Sequence, residues 1–161
     1  MDGADDDRPS VVGSIDVDFT RFYEREHAGQ VRRAALLLGS DDAANDVVHD
    51  ALTAVYQRWS SIDDPGPYLN RAVLNGCRDL GRRAARDRKA NRKLHSSDGA
   101  EPADPLFDVL AGLPFNQRAA VVLRFYVGMT EREIAVALGA SPGSVGPWIN
   151  RALAKMRKEL S

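Results

Sequence analysis

Apolar side chains recur every three to four residues along most of this chain, the spacing that buries one face of an α-helix. Phe19, Phe22, Tyr23, Val31, Ala34, Ala35 and Leu38 predict a first helix from about Asp18 to Leu38, ended by Gly39. A second is expected from Asp41, as N-cap, to about Trp59, with Ala44, Val47, Val48, Ala51, Leu52, Val55 and Trp59 inward and Asp46, His49 and Asp50 outward. A polar loop, Ser60 to Pro67, follows. Pro67 suits the first position of a third helix, which runs to about Lys93 on the order of 40 Å if unbroken. Tyr68, Leu69, Ala72, Val73, Cys77 and Leu80 form its inner face.

Further on, a helix of good formers leads to Gly128. Thr130 starts another, with Glu133 at capping-box spacing and Ile134, Ala135 and Leu138 on one apolar face. Gly139 and Ser141-Pro142-Gly143 predict a tight turn. A last helix carries Val145, Ile149, Leu153 and Met156 inward and Arg151, Lys155, Arg157 and Lys158 outward. This order predicts a helix-turn-helix with a basic exit, a shape that sets one helix in a DNA major groove. Residues 95–105, rich in Ser, Gly, Pro and acids, predict a flexible linker. The fold class expected is all-α: a disordered acidic tail over 1–17, a helical domain over 18–94, the linker, and a helix-turn-helix domain over 106–161.

Charge is segregated rather than balanced. The net charge is −1, yet residues 1–18 hold six Asp and one Arg, whereas 78–93 hold eight Arg or Lys and two Asp. Such patches govern encounters with a polyanion more than the total does. Eight cations in so short a stretch repel one another along a helix unless an anion screens them. A phosphate backbone is the natural screen, and Arg78, Arg82, Arg83 and Arg86 are its candidate contacts. Trp59 and Tyr68 flank the loop before this helix. Exposed, they would stack unpaired bases; as helical core positions they would pack, and for Trp59 the core is favoured.

Enzymatic readings are weak. Gly139-Ala140-Ser141-Pro142-Gly143 matches the G-x-S-x-G nucleophile elbow, but a short amphipathic helix stands where a strand is needed, and no His follows Ser141. Ser141 reads better as an N-cap with Pro142 in the first turn. His27, His49 and His95 lack metal-ligand spacing, and no phosphate loop ending in Lys-Ser or Lys-Thr is present. No catalytic residue, metal or cofactor is expected. A lone Cys77, no long apolar run and no secretion signal fit a cytoplasmic protein without membrane insertion.

From Phe19 to Lys158 the chain resembles the extracytoplasmic-function sigma factors of bacterial RNA polymerase, in particular the compact actinobacterial type. Trp59, Asp64, Pro65, Tyr68 and Leu69 match the W-x-x-x-x-D-P-x-x-Y-L pattern before the basic helix. Leu113-Pro114, Gln117-Arg118 and Leu123-Arg124 match the opening of the second domain, and Thr130, Glu133, Ile134, Ala135, Leu138, Gly139, Ser144, Val145, Arg151 and Ala152 match its helix-turn-helix.

The resemblance implies a region 2-like domain that binds the polymerase clamp and the promoter −10 element, and a region 4-like domain that binds the −35 element and the polymerase flap. It implies clamp contacts by Asp46, His49 and Asp50, although His49 and Leu52 depart from the family's D-x-x-Q-E-x-F. It implies −10 contacts by Asn70, Arg71, Asn75 and Arg78, with the loop before them capturing a base, and −35 contacts by Thr130, Ser144, Trp148, Asn150, Arg151 and Lys155. Partners implied are core RNA polymerase, promoter DNA and an anti-sigma factor, the free chain being a monomer.

Gly146-Pro147 departs from the family. A proline inside a helix costs about 3 kcal/mol and a glycine roughly another 1 kcal/mol, so the last helix is expected either to kink or to begin at Pro147. Two rivals follow: a helix-turn-helix regulator that acts without polymerase, and a degenerate sigma factor kept as a protein-interaction module.

Overall fold

Ser40 decides where the first two helices part. The computed structural model describes residues 11–90 and 104–161. Helix α1 spans Val11–Leu38 and ends at Gly39, whose φ of +69° only glycine adopts freely. Ser40, not Asp41, then caps α2 (Asp41–Gln57): its hydroxyl accepts the Ala43 N–H at 3.2 Å. Asp41 and Asp42 lie in the first turn, where their charge suits the positive helix end. Helix α1 starts seven residues before the expected Asp18, because adding a residue to a formed helix gains a hydrogen bond at little entropic cost.

A short 3-10 turn, Trp59–Ser61, leads to α3, Pro65–Ala90. It therefore begins at Pro65 rather than Pro67. The remaining helices are α4 (Pro105–Ala111), α5 (Phe115–Val121, which passes into a π-helical turn over Val122–Val127), α6 (Glu131–Leu138) and α7 (Pro142–Leu160). Every regular element of the described residues is helical. Asp104, near the end of the expected linker, caps α4 by accepting the Leu106 N–H; residues 95–103 lie outside the described residues.

Helices α1, α2 and α3 close on Phe22, Ala34, Leu37, Val48, Leu52, Leu69 and Val73, all buried. Each of these side chains other than Ala34 contributes about 1.5–3 kcal/mol through removal from water. Leu37 is buried where Leu38 was expected inward, and Tyr23 faces out, stacked on His27 with ring centroids 5.0 Å apart. Trp59 joins the core edge, as favoured: its ring meets Phe19 edge-on at 5.4 Å and Phe22 at 5.3 Å.

This core continues without a break into the second half through Ala119, Leu123, Ile134 and Val145. Helix α3 lies against α5 and α6, and α1 against α4 and α5. The two halves therefore stand packed together. Arg118 is the main polar tie. Its guanidinium donates to the Leu110 carbonyl (2.7 Å), to Leu113 (2.9 Å), to Ala111 (3.2 Å), and, across the junction, to Leu37 (2.6 Å).

Cys77 sits fully buried in the α3 face. Loss of water pushes its thiol up to about 12 from 9.0, against a smaller opposing effect of the Arg118 charge. Below pH 9.0 both folded and unfolded thiols are neutral; above it only the unfolded chain ionises, so stability should fall as pH rises from 9.0 toward 12. At neutral pH the native thiol should resist alkylation and react only as urea unfolds the chain. Rapid labelling of the native protein would contradict that burial.

Candidate nucleic-acid interface

The basic half of α3 carries its cations on two sides. Arg82, Arg83 and Arg86 are exposed, and none has an acidic partner among the described residues. Arg83 faces the α2 side with Asn75 and Asp79, across a groove that Asp46 and Asp50 also line. Asp46, His49 and Asp50 are all exposed along α2, which presents an acidic strip to solvent. Gly76 brings α3 close to α2 there: a Cβ at Gly76 would meet Val47 Cγ1 at 2.8 Å.

Arg78 and Arg82 face the other way, toward the second half. They line an open cleft of about 450 Å³ whose far wall is made by Phe115 and Asn116 of α5 and by Trp148 and Arg151 of α7. Arg78 lies over the Phe115 ring, 5.3 Å from its centroid, and donates weakly to Asn116 Oδ1 at 3.4 Å and to the Leu138 carbonyl at 3.5 Å. Arg71 reaches the Val136 carbonyl of α6 at 3.5 Å. Asn70 is turned onto α1 and accepts from both Gln30 Nε2 and Arg33. Gln30 is the buried polar side chain that fixes this contact. Thus Asn70, Arg71 and Arg78 are engaged within the chain, while Asn75, Arg82, Arg83 and Arg86 are open to solvent.

Part of the expected base-capturing loop is closed on itself. The Ser61 and Ile62 N–H groups both bond the Arg58 carbonyl, and the Ser61 hydroxyl joins them. Pro65 and Gly66 already belong to α3.

The helix-turn-helix forms with its turn at Gly139-Ala140-Ser141, while Pro142 and Gly143, expected in the turn, already open α7 because a proline suits a first helical position. Thr130 caps α6 by accepting the Glu133 N–H at 3.2 Å, and Gly128 and Gly139 take positive φ of 85° and 64°. Ser141 stands at the N-cap position of α7, but its hydroxyl pairs with that of Ser144 at 2.7 Å instead of accepting a helix N–H. The nucleophile-elbow reading has no structural support, since α6 stands where the strand would be. On α7, Ser144, Trp148, Arg151 and Lys155 follow helical spacing and share one stripe. Asn150 is exposed off that stripe. Lys155 donates to the Gly112 carbonyl at 2.7 Å and so caps the end of α4.

Helix α7 begins at Pro142 and continues through Pro147, so the alternative start at Pro147 is not adopted. The helix accepts the proline at the loss of one hydrogen bond, to the carbonyl of Gly143 one turn back. Glu131 Oε2 lies 3.5 Å from where a Gly146 Cβ would stand. Pro147→Ala should therefore raise stability by about 2–3 kcal/mol in urea unfolding. An unchanged or lower midpoint would mean that the site holds its proline without strain.

A family model described as Sigma-70, region 4 matches residues 104–156, which are α4 to α7 almost entire. The RNA polymerase sigma-E factor of Streptomyces coelicolor is 33% identical over 153 residues, covering 89% of this chain and 86% of the relative. The chain belongs to the extracytoplasmic-function sigma factors. Two further relatives from Mycobacterium tuberculosis carry that family name: SigM, 28% identical over 88% of this chain and 76% of its own, and SigL, 27% identical over 95% of both. Among solved structures, CnrH in complex with the cytosolic domain of CnrY aligns with a TM-score of 0.66 at 29% identity, covering 88% of this chain and 86% of CnrH. The sigma factor RpoE of Bartonella quintana, in complex with the anti-sigma factor NepR, shares the fold with a TM-score of 0.73 at 19% identity over 89% of this chain and 96% of that one. As a sigma factor, the chain works in transcription initiation.

Sequence reasoning matched Arg118 to the family pattern without its role. Its length and forked guanidinium are the only signal, and the carbonyls it binds come from three separate segments.

Proposed function

We propose that this sigma factor directs core RNA polymerase to promoters by dividing the DNA between its halves. Helix α3 contacts and helps to open the −10 region through Arg82, Arg83 and Arg86, joined by Asn75 and, once free of α6, by Arg71 and Arg78, while Asn70 joins them only by leaving Gln30 and Arg33 on α1. Helices α6 and α7 bind the −35 region, with Arg151 on phosphates, Lys155 joining it only by giving up its bond to the Gly112 carbonyl, and Thr130, Ser144, Trp148 and Asn150 near base edges. The acidic strip of α2, Asp46, His49 and Asp50, docks the polymerase clamp. No step of bond chemistry is assigned to the chain itself.

The observation that carries this reading is the unpartnered cationic run on α3. Exposed arginines without acids gain most by displacing counterions from DNA. Phosphate contacts give register and affinity, whereas sequence is read by the few groups at base edges. Because Arg71 and Arg78 are spent on α6 in the packed arrangement, we infer that the halves separate when polymerase binds. The bonds that hold Arg71 and Arg78 are long, at 3.4–3.5 Å, and release would also have to break the Arg118–Leu37 bond and part the shared core. The segment between α3 and α4 then serves as the tether. Both structural relatives were seen with another chain bound, CnrY or NepR. By extension, an anti-sigma factor is the third partner we assign, acting in the cytoplasm on a monomeric chain.

The test is run-off transcription with purified core polymerase on the DNA upstream of the chain's own gene. A discrete transcript that requires the chain is expected. Duplex binding by the chain alone, with no transcript in the presence of core, would favour a regulator that acts without polymerase.

A further inference from the structure

The cleft between the halves gathers in one place cations that the promoter reading sends to two separate DNA elements. Arg78, Arg82, Arg118 and Arg151 all line it, and no Asp or Glu among the described residues does. Arg118 is committed to backbone carbonyls, but Arg82 and Arg151 are exposed, each without an acidic partner among the described residues. Among the described residues Arg78 makes long bonds, to Asn116 and Leu138, and lies over the Phe115 ring. Like charges brought together by folding repel one another, a cost that an anion in the cleft would remove.

The same cleft carries an aromatic surface. Trp148 is half-buried on its α7 wall and Phe115 lies under Arg78 on its α5 wall. The volume, about 450 Å³, falls within the range of ordinary small-molecule sites, roughly 300–1,000 Å³. Guanidinium groups match phosphate oxygens in geometry as well as charge, and an indole stacks on a flat heterocycle.

We propose that this cleft binds a nucleoside di- or triphosphate, with its phosphates on Arg82, Arg151 and Arg78 and its base against Trp148. Both walls come from different halves, so the ligand holds them together. If the promoter reading above is right, the ligand thereby also withholds Arg78, Arg82 and Arg151 from DNA, and the consequence would be a sigma factor restrained by nucleotide. Binding itself does not depend on that reading, and its measurement needs neither polymerase nor promoter.

Titration of the full chain with ATP, GTP and inorganic tripolyphosphate, followed by tryptophan fluorescence and calorimetry, tests the site. Saturable binding of a nucleotide is expected, with fluorescence quenching that Trp148→Phe removes while Trp59 remains. Replacing Arg82 and Arg151 with Ala should weaken nucleotide affinity about tenfold for each arginine lost. Replacing Arg83 and Arg86, equally cationic but outside the cleft, should change it less than about twofold. Circular dichroism of each variant guards against unfolding. Three results would overturn the proposal: no saturation at millimolar nucleotide, an equal loss in the Arg83/Arg86 variant, or tripolyphosphate binding as tightly as ATP and GTP. The second would reveal only diffuse charge screening, and the third would remove the base from the site.

Discussion

Arg118→Ala will lower the unfolding free energy by about 3–5 kcal/mol, more than any exposed substitution in the chain. Its guanidinium satisfies carbonyls at the end of α1 and at the end of α4 with one rigid fork. Removal takes that donor from the Leu37 and Leu113 carbonyls in partly buried positions, where each unpaired group costs about 1–3 kcal/mol, while the Leu110 carbonyl keeps the Leu113 N–H. Arg118→Lys will recover little, since one ammonium on a flexible stem cannot reach both helix ends. Urea unfolding gives the magnitude, and hydrogen exchange locates it. The α1 end around Leu37 and the α4–α5 junction should lose protection together, because the Leu37 bond crosses between the halves. Loss confined to α4 and α5 would mean that the junction is held by apolar contact alone.

The triple variant Arg82→Ala, Arg83→Ala and Arg86→Ala will bind promoter DNA, as holoenzyme, about a hundredfold more weakly at low salt. Each arginine is exposed and free of acidic partners, so its removal should cost little folding stability. The change is thus a change in binding. Its origin in phosphate contact predicts that affinity for unrelated DNA falls as well, while the sequence preference of the remaining complex is kept. If the variant loses promoter preference but not general affinity, these arginines touch bases rather than phosphates.

Much of the architecture was legible in the residues. Helical periodicity, Gly39, Gly128 and Gly139 as left-handed stops, and Thr130 with Glu133 all act through local chemistry, which a sequence displays directly. Errors arose where two local signals compete. Ser40 and Asp41 are both good caps, and the hydroxyl of Ser40 takes the role. Pro65 and Pro67 both suit a first turn, and the earlier one starts α3. The break between α4 and α5 was hidden among good helix formers until Leu113-Pro114 is seen to end one axis and begin another.

The candidate site was legible in composition and less so in arrangement. The runs of arginine mark which helices are cationic. They do not disclose that Arg78 and Arg82 face Arg151 and Trp148 across one cleft, since that follows from how α3 docks on α5 and α7. Nor does helical spacing say that Asn70 is spent on Gln30 and Arg33, or Lys155 on Gly112. Pro147 shows the converse: local rules disfavour it within a helix, and the packing of Val145, Ile149 and Ala152 carries α7 through it.

The most direct measurement is the salt dependence of open-complex formation by holoenzyme, read from permanganate reactivity of −10 thymines, for the wild type and the triple arginine variant. Three lost phosphate contacts should flatten the slope of log K against log salt by about 2–3, roughly 0.7–0.9 for each contact. Equal slopes, with equal extents of opening, would contradict a role for the cationic face of α3 in gripping promoter DNA.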